Sequence, residues 1–479
     1  MKGGGLVPPF YHYSERKFME KPIVAISTAV NYAGIGIVRL SGPGAIQVAD
    51  KVFVSPKNKK LEDQKTHTIH YGFIKDQDEV VDEVLAMLMK APHSYTKEDT
   101  VEFNCHGGIH IVRKVLSLLI EAGARPAEPG EFTKKAFLNG RLDLSQAEAV
   151  SDLIYSQNDY ALKSSVGQLR GNLREKIETI RKAVIYNTAF IESALDDPEH
   201  ISLDGYPEKL EMDVDIWLAT LKSLLDNAES GKILKEGIKT VIIGRPNAGK
   251  SSLLNVLLGE ERAIVTDIAG TTRDILEETI NLKGIMLQVI DTAGIRNTKD
   301  AIEKIGVEKA KQYVDKADLI LYVIDASDKL SEEDLDIMKL IGDKKTIVLL
   351  NKTDLALNVT EEEVLSTINS NKSDIKVIQI SAKENEGITK LEETITAMFY
   401  DGKISFNNEI YITNARQQSA LLEASQSLSS VKTSLEANMP EDFYTIDLMD
   451  AYESLGKITG ESIGEDLVNE IFSKFCMGK

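Results

Sequence analysis

The stretch TVIIGRPNAGKSSLLNVLLG, residues 240–259, reads as an apolar strand, a loop bracketed by glycines and the start of an amphipathic helix. Gly244, Gly249, Lys250 and Ser251 fill the G-x-x-x-x-G-K-S pattern. In that pattern backbone NH groups surround phosphates, the lysine reaches the β and γ oxygens and the serine hydroxyl ligates magnesium. Working outward, the runs MLQVI, LILYVI, TIVLL and KVIQI follow between residues 286 and 380, each ending in a loop rich in Gly, Asp, Asn or Ser. Strand, loop and helix repeated in this way predict a mostly parallel sheet covered by helices on both faces. The run MLQVI ends in Asp291-Thr292-Ala293-Gly294, which would bring a carboxylate near magnesium and a glycine near the γ-phosphate.

The later strands end in Asn351-Lys352-Thr353-Asp354 and Ser381-Ala382-Lys383, which resemble the base-reading elements of guanine-nucleotide-binding proteins, where a carboxylate such as Asp354 can accept hydrogen bonds from both N1 and the exocyclic amine of guanine. Adenine offers neither donor in that place, so the expected nucleotide is GTP. Residues 237–400 are the expected G domain, an α/β P-loop GTPase unit.

On either side the pattern differs. Residues 19–142 alternate β-rich runs (IVAIST, GIGIVRL, HTIHYGFI, EVLAMLM, TVEFNC) with turns, and Ile109 to Ala122 is the one clear helix, which predicts an α+β domain. From residue 143 the apolar positions Leu162, Val166, Leu169, Leu173, Ile177, Ile180 and Val184 predict a single long helix with one apolar face. Helical spacing returns after residue 400, with Met449, Tyr452, Leu455 and Ile458 on one face and Leu467, Val468, Ile471, Phe472 and Phe475 on another. The G domain is therefore expected to be inserted into a discontinuous helical bundle domain, residues 143–236 and 401–479. Residues 1–18 lack an apolar segment and read as a tag, with Met19 the expected start.

Composition narrows the partners. With 75 acidic and 56 basic residues the 479-residue chain carries a formal charge of −19, so RNA must meet a local basic patch or arrive through a partner. Two cysteines, Cys105 and Cys476, cannot make a disulfide framework and point to a reducing, cytoplasmic setting. The most apolar stretch, Ile23 to Leu40, is interrupted by Ser27, Thr28, Asn31, Gly34 and Gly36, so no membrane span is expected. His67 and His70 lack a third ligand for zinc. Ile295 follows the DTAG motif where Ras-like proteins carry a water-orienting Gln, so another group must orient water. Glu303 is the carboxylate downstream, although its position also suits a solvated charge opening the helix EKIGVEKAKQYV.

GRPNAGKSSLLN, IVTDIAGTTRD, DTAGIR and EKIGVEKA, with RLSGPGA, VEFNCHGG and PGEFTKKAFLNGRLDLSQAEAV before them and FCMGK at the end, resemble the MnmE (TrmE) family of tRNA-modification GTPases from Met19 to Lys479. The resemblance implies a folate-binding N-terminal domain, a homodimer, and potassium-stimulated GTP hydrolysis coupled to G-domain dimerisation. It also implies an FAD-dependent partner, MnmG (GidA), in a heterotetramer or larger complex that modifies carbon 5 of the wobble uridine of some tRNAs with a one-carbon unit from a reduced folate, 5-formyl- or methylene-tetrahydrofolate. The matching positions put GTP against Asn247, Ala248, Gly249, Lys250, Ser251 and Ser252, the loop Thr266, Asp267, Ile268, Ala269, Gly270, Thr271 and Thr272, and the DTAG, NKTD and SAK motifs. They put magnesium on Ser251 and Thr272, potassium on Asn247, Thr266, Ile268 and Thr271, the catalytic glutamate at Glu303, and folate at Arg39, Glu102, Arg141 and Lys479. Cys476 lies in the family's C-x-G-K ending, where a role in the modification chemistry stands beside an inert thiol. Two other readings remain open at this point: a GTP switch that selects partners, and a free-standing folate transferase regulated by GTP.

Overall fold

The computed structural model describes residues 21–259, 278–282, 285–290, 313–341, 344–368, 375–400, 410–476 and 478. The chain forms two compact units; one holds the chain through Ser151, Gln168–Asp204 and Glu436–Lys479, the other Asp152–Gly167 and Gly205–Leu435.

In the first unit β1 (Ile23–Ile26), β2 (Ile35–Ser41), β3 (Phe53–Val54), β4 (Thr68–Asp76), β5 (Glu79–Met89), β6 (Thr100–His106) and β7 (Arg125–Pro126) form one sheet in the order β3-β4-β5-β6-β2-β1-β7. All neighbours are antiparallel except β1 and β7. The side-chain period of two decides its faces. Leu40, Val101 and Leu88 stand in register and are buried under α1 (Ala45–Val52) and α2 (Ile109–Glu121), together with Val38, Phe103 and Ala86. One residue along, Arg39, Glu102 and Met87 stand in register on the opposite face, where Ile35, Ile69, Tyr71 and Leu85 are exposed. α1 and α3 (Glu131–Leu138) were not marked by sequence spacing, because eight residues give barely two turns of periodicity.

α4 (Leu144–Ile154) and α5 (Asp159–Leu169) precede α6 (Asn172–Asp196), and here the single helix expected from Leu162 to Val184 is corrected. Gly171, at φ +91°, caps α6 and ends the regular backbone, a conformation that L side chains adopt at a cost of about 1–2 kcal/mol. Leu173, Ile177, Ile180 and Val184 are buried on α6, whereas on α5 Leu162 is exposed and Val166 and Leu169 are half-buried, so the spacing that runs across the break does not mark one buried face. Within the first unit α6 packs along α14 (Glu441–Thr459) through Leu173, Ile177, Ile180 and Val184 on one helix and Leu448, Ala451, Leu455 and Ile458 on the other. The buried stripe of α14 thus runs through Leu448 and Ala451, and Met449 and Tyr452 flank it half-buried. α15 (Glu465–Ser473) pins its end with Val468 and Phe472 against Phe137, Leu144 and Ala147, while Leu467 faces solvent.

The second unit contains α7 (Tyr206–Asp226), with Trp217 buried between Val214 and Leu221, then α8 (Ala228–Glu236) and the second sheet. β8 (Ile238–Ile243), β9 (Glu278–Leu282), β10 (Ile285–Val289), β11 (Leu319–Asp325), β12 (Lys345–Asn351) and β13 (Ile375–Gln379) lie in the order β13-β12-β11-β8-β10-β9, parallel except for β9. Leu319, Leu321 and Val323 of β11 face a core shared with α9 (Lys250–Leu258) and α12 (Ile388–Tyr400), and Ile320, Tyr322 and Ile324 face one shared with α10 (Glu332–Leu340) and α11 (Glu361–Thr367). Burial on both faces is why LILYVI is continuously apolar. α13 (Ala415–Glu436) follows. Among the described residues no helix is long and apolar enough to cross a membrane.

Candidate nucleotide and anion sites

In the second unit the chain leaves β8 at Ile243 and enters α9 at Lys250, so residues 244–249 form a loop at the carboxyl end of the sheet, where open α/β folds bind ligands. Gly244 sits so close to β11 that a Cβ there would lie 2.3 Å from the Val323 carbonyl oxygen. Gly249 caps α9 at φ +103°, and a Cβ there would lie 2.0 Å from Asn351 Nδ2. Asn247 holds φ +62°, which Asn tolerates better than most residues. Lys250 Nζ donates to the carbonyls of Gly244 at 2.7 Å and Arg245 at 2.8 Å. Burial lowers the pKa of this ammonium, and the two carbonyls hold it beside the amides at the amino end of α9. Ser251 and Ser252 occupy the first turn of that helix. The site has the helix-end amides and lysine that phosphates require and a hydroxyl, Ser251, of the hard oxygen type that suits magnesium.

Asn351, 2% exposed at the end of β12, is the hub of the pocket. Its Nδ2 donates to the Ala248 carbonyl at 2.8 Å, and its Oδ1 accepts from the Ala382 amide at 3.0 Å. One amide thereby ties the phosphate loop to the loop after β13. Ser381 Oγ donates to Asp354 Oδ1 at 2.8 Å, and Lys383 Nζ is 3.9 Å from Asp354 Oδ2. Lys352, at φ +68°, turns its ammonium to Asp325 Oδ2 at 2.6 Å. For Asp325 burial pushes the pKa up, but the Lys352 and Ser327 hydrogen bonds outweigh it and the net direction is down. The structure thus brings together Asn247 to Ser252, Asn351 to Asp354 and Ser381 to Lys383. Thr266 to Thr272, Asp291 to Gly294, Ile295, Glu303 and Lys479 lie outside the described residues. Asp325 was missed by sequence reading, although an acidic residue ending an apolar strand is a legible signal.

In the first unit Arg39 and Glu102 meet across β2 and β6, with Arg39 Nε donating to Glu102 Oε1 at 2.6 Å. Arg141 Nη1 donates to the Tyr95 carbonyl at 3.0 Å, and both guanidinium groups lie over the Tyr95 ring, at 4.6 Å for Arg141 and 5.7 Å for Arg39. Burial raises the Tyr95 pKa against the opposing effects of Thr133 and the two arginines. The carboxy-terminal tail reaches the same place: the Gly478 carbonyl accepts from Ser27 Oγ at 3.0 Å and Arg39 Nη1 at 3.4 Å, and the Cys476 carbonyl accepts from the Gly130 amide at 3.2 Å. Two guanidinium groups and one carboxylate around an aromatic ring suit a planar ligand with a hydrogen-bonding edge and an anionic tail, which a folate is. Tyr95, Ser27 and Phe132, whose ring lies 5.5 Å from the Arg39 guanidinium, were invisible in the sequence, since only tertiary register gathers them. Cys476 is half-buried, whereas Cys105 is buried and its thiol is pushed up to about 12 by desolvation and then by Asp82. Among the described residues no cluster of metal-binding side chains occurs, and His70 pairs with Thr68.

Two family models match the chain: "MnmE helical domain" over residues 144–476 and "GTP-binding protein TrmE N-terminus" over residues 22–141. The tRNA modification GTPase MnmE of Lachnoclostridium phytofermentans is 56% identical over 458 residues, covering 95% of this chain and 99% of that protein. The protein of the same name from Clostridioides difficile is 49% identical, covering 96% of this chain and 100% of its own length. That of Bacillus subtilis is 45% identical, covering 95% and 99%.

Proposed function

We propose that this chain, which belongs to the MnmE family of tRNA modification GTPases, couples potassium-stimulated GTP hydrolysis to the addition of a folate-derived one-carbon unit at carbon 5 of a wobble uridine, together with an FAD-dependent partner of the MnmG type. GTP hydrolysis in tRNA modification is the family's activity, and tRNA is the expected substrate. The observation that carries the GTP reading is the Asn351 side chain, bonded at once to the phosphate loop and to the Ser381 loop, so that phosphate and base recognition are assembled as one piece.

Each residue has a role in this reading. The loop amides and Lys250 bind the phosphates, Ser251 and Thr272 hold magnesium, and Asp354 reads guanine. Asn247, Thr266, Ile268 and Thr271 hold potassium, which would offset the charge developing between the β and γ phosphates in the absence of a water-orienting Gln. Glu303 is the proposed catalytic carboxylate, and pairing of two G domains in a homodimer would order the loop around the ion. Arg39, Glu102, Arg141 and Lys479 hold the reduced folate, and Cys476 is the proposed reactive thiol of the tail. The domain limits are proposed as 19–142, 143–236 with 401–479, and 237–400, the setting as cytoplasmic, and the assembly with the partner as a heterotetramer or larger. Support for the folate reading comes from the two guanidinium groups that share the Tyr95 ring beside Glu102 and the docked tail.

The test is reconstitution of tRNA modification with the partner, GTP, potassium and a reduced folate, omitting each in turn and reading out modified uridine. Modification should vanish without any one of them, and GTP turnover should fall when sodium replaces potassium at equal ionic strength. Equal turnover in both salts would remove the potassium role. Modification without folate would remove the folate role.

A further inference from the structure

The residue that follows Gly244 in the phosphate loop is tied to a part of the fold that no nucleotide motif includes. Arg245 is 14% exposed in its side chain, and its Nη2 lies 3.2 Å from Asp328 Oδ2 and its Nε 3.8 Å from Asp334 Oδ2. Asp328 is on the surface, where such a pair contributes little. Asp334 is different, being completely buried in the first turn of α10. Its Oδ2 accepts from the Ser331 amide at 3.0 Å and from Ser331 Oγ at 2.9 Å, and its Oδ1 accepts from the Tyr322 hydroxyl at 3.1 Å. These neutral donors and the amino end of α10 stabilise the carboxylate, and Arg245 is the cation that faces it. The backbone of the same arginine does something else: its carbonyl and that of Gly244 receive the Lys250 ammonium.

We infer that Arg245 is a positioning residue for the phosphate-binding lysine, its side chain anchored on buried Asp334 so that its own carbonyl and that of Gly244 present Lys250 to the nucleotide's phosphates. The inference deepens the proposed GTP site and rests on phosphates binding at residues 244–252. The anchoring matters because the loop itself supplies little stiffness. Asn247 and Pro246 are exposed, and Gly244 has no side chain to hold it. The Arg245 carbonyl also accepts from the Ala248 amide at 3.3 Å, and Asn351 holds the Ala248 carbonyl, but without the arginine side chain the start of the loop loses its tie to α10. The ammonium would then sample positions away from the phosphates. Nucleotide affinity would fall, whereas the hydrolytic step, once GTP is bound, would change less.

The experiment measures binding of a fluorescent GDP analogue and steady-state GTP turnover in the full chain. Arg245→Met should weaken binding and raise KM roughly tenfold, the size of a contact coupling, with kcat changed less than about threefold. Arg245→Lys should recover most of the affinity, and Asp334→Asn should reproduce the loss without adding to Arg245→Met. The discriminating variant is Lys250→Ala, in which Arg245→Met should cost no further affinity, because the group it positions is gone. A surface control, Asp336→Asn, removes an exposed pair with Lys339 on the same helix and should leave binding unchanged. If Arg245→Met lowers the melting temperature yet binds as the native chain does, the arginine is merely structural and the inference fails. Additive losses with Asp334→Asn or with Lys250→Ala overturn it as well. If Lys250→Ala itself binds nucleotide normally, it is the phosphate-loop reading that fails, so the two failures are distinguishable.

Discussion

The nucleotide pocket of the second unit and the arginine-lined site of the first are built in opposite ways. In the proposed pocket the candidate binding groups come from short consecutive stretches at strand ends, 244–252, 351–354 and 381–383, and much of the expected work falls to backbone amides that any correct loop would present. The Asn351 side chain ties the first stretch to the other two, and Ser381 and Lys383 reach Asp354. In the first unit no stretch suffices: Arg39, Tyr95, Glu102, Arg141 and Gly478 come from five places spread over almost the whole chain, and side chains do the work. Substitutions in the pocket should therefore act on one function sharply. Substitutions around the arginines should act through the docking of distant segments, with smaller effects spread over several residues.

The largest effect is expected from Asp354→Asn, which exchanges an acceptor for a donor facing guanine. GTP affinity should fall on the order of 10⁴-fold, the range seen when a buried polar group is left unpaired by its ligand, and xanthosine triphosphate should gain correspondingly. Nucleotide titrations read this directly, and unchanged GTP affinity would break the local side of the comparison. Next comes Gly478→Val. Gly478 holds φ +83° and a Cβ there would lie 2.3 Å from the Ile26 carbonyl oxygen, so the tail should leave its seat. With about 1–2 kcal/mol of backbone cost, a reduced folate should bind roughly tenfold more weakly while GTP turnover is kept. Calorimetry with both ligands decides it; folate bound as tightly as by the native chain would show that the tail is not part of that site.

A smaller effect sharpens the helical part. Gly171→Ala forces a Cβ on φ +91° at the break between α5 and α6 and should cost about 1–2 kcal/mol in denaturant unfolding. A gain in stability instead would mean that the continuous helix is within reach of this sequence. The smallest is a pH effect at the end of β6. His106, exposed, pairs through Nδ1 with buried Asp82 Oδ1 at 2.6 Å, and that hydrogen bond, then the charge of Asp82, raise its pKa above the usual value near 6.5. The stabilisation is fully present below the unfolded value and is lost as pH rises through the folded one. His106→Asn should therefore flatten the fall in melting temperature between about pH 6 and pH 8. An identical slope in both proteins would leave the pair without a measurable role.

The comparison also explains what reading the sequence could reach. TVIIGRPNAGKS, NKTD and SAK were legible because backbone geometry imposes glycine, lysine and asparagine at fixed offsets along one chain, and the burial of β11 on both faces was legible in LILYVI. By contrast, the apolar spacing from Leu162 to Val184 read as one helix, since periodicity says nothing of where the backbone stops, nor that only the part from Leu173 onward is buried. Gly171 carried the signal for the break, but a glycine in a helical pattern is often tolerated. Likewise Leu467 kept helical spacing with Val468 and Phe472 yet faces solvent, because the stripe on a three-turn helix is narrower than its set of apolar residues.

The sequence by itself determined the class of nucleotide, the strand-loop-helix grammar of the G domain and the alternation that gives the first sheet a buried face, all consequences of interactions between residues close along the chain. Tertiary structure decided that Arg39 faces Glu102 through the β2 and β6 register, that Tyr95 lies beneath two guanidinium groups, that Gly478 returns to Ser27, and that Arg245 finds Asp334. Those pairs join residues whose separation along the chain carries no periodic signal; they form because burying the apolar faces fixes strand register and helix position, and the polar groups that reach each other are whichever ones that packing leaves opposite.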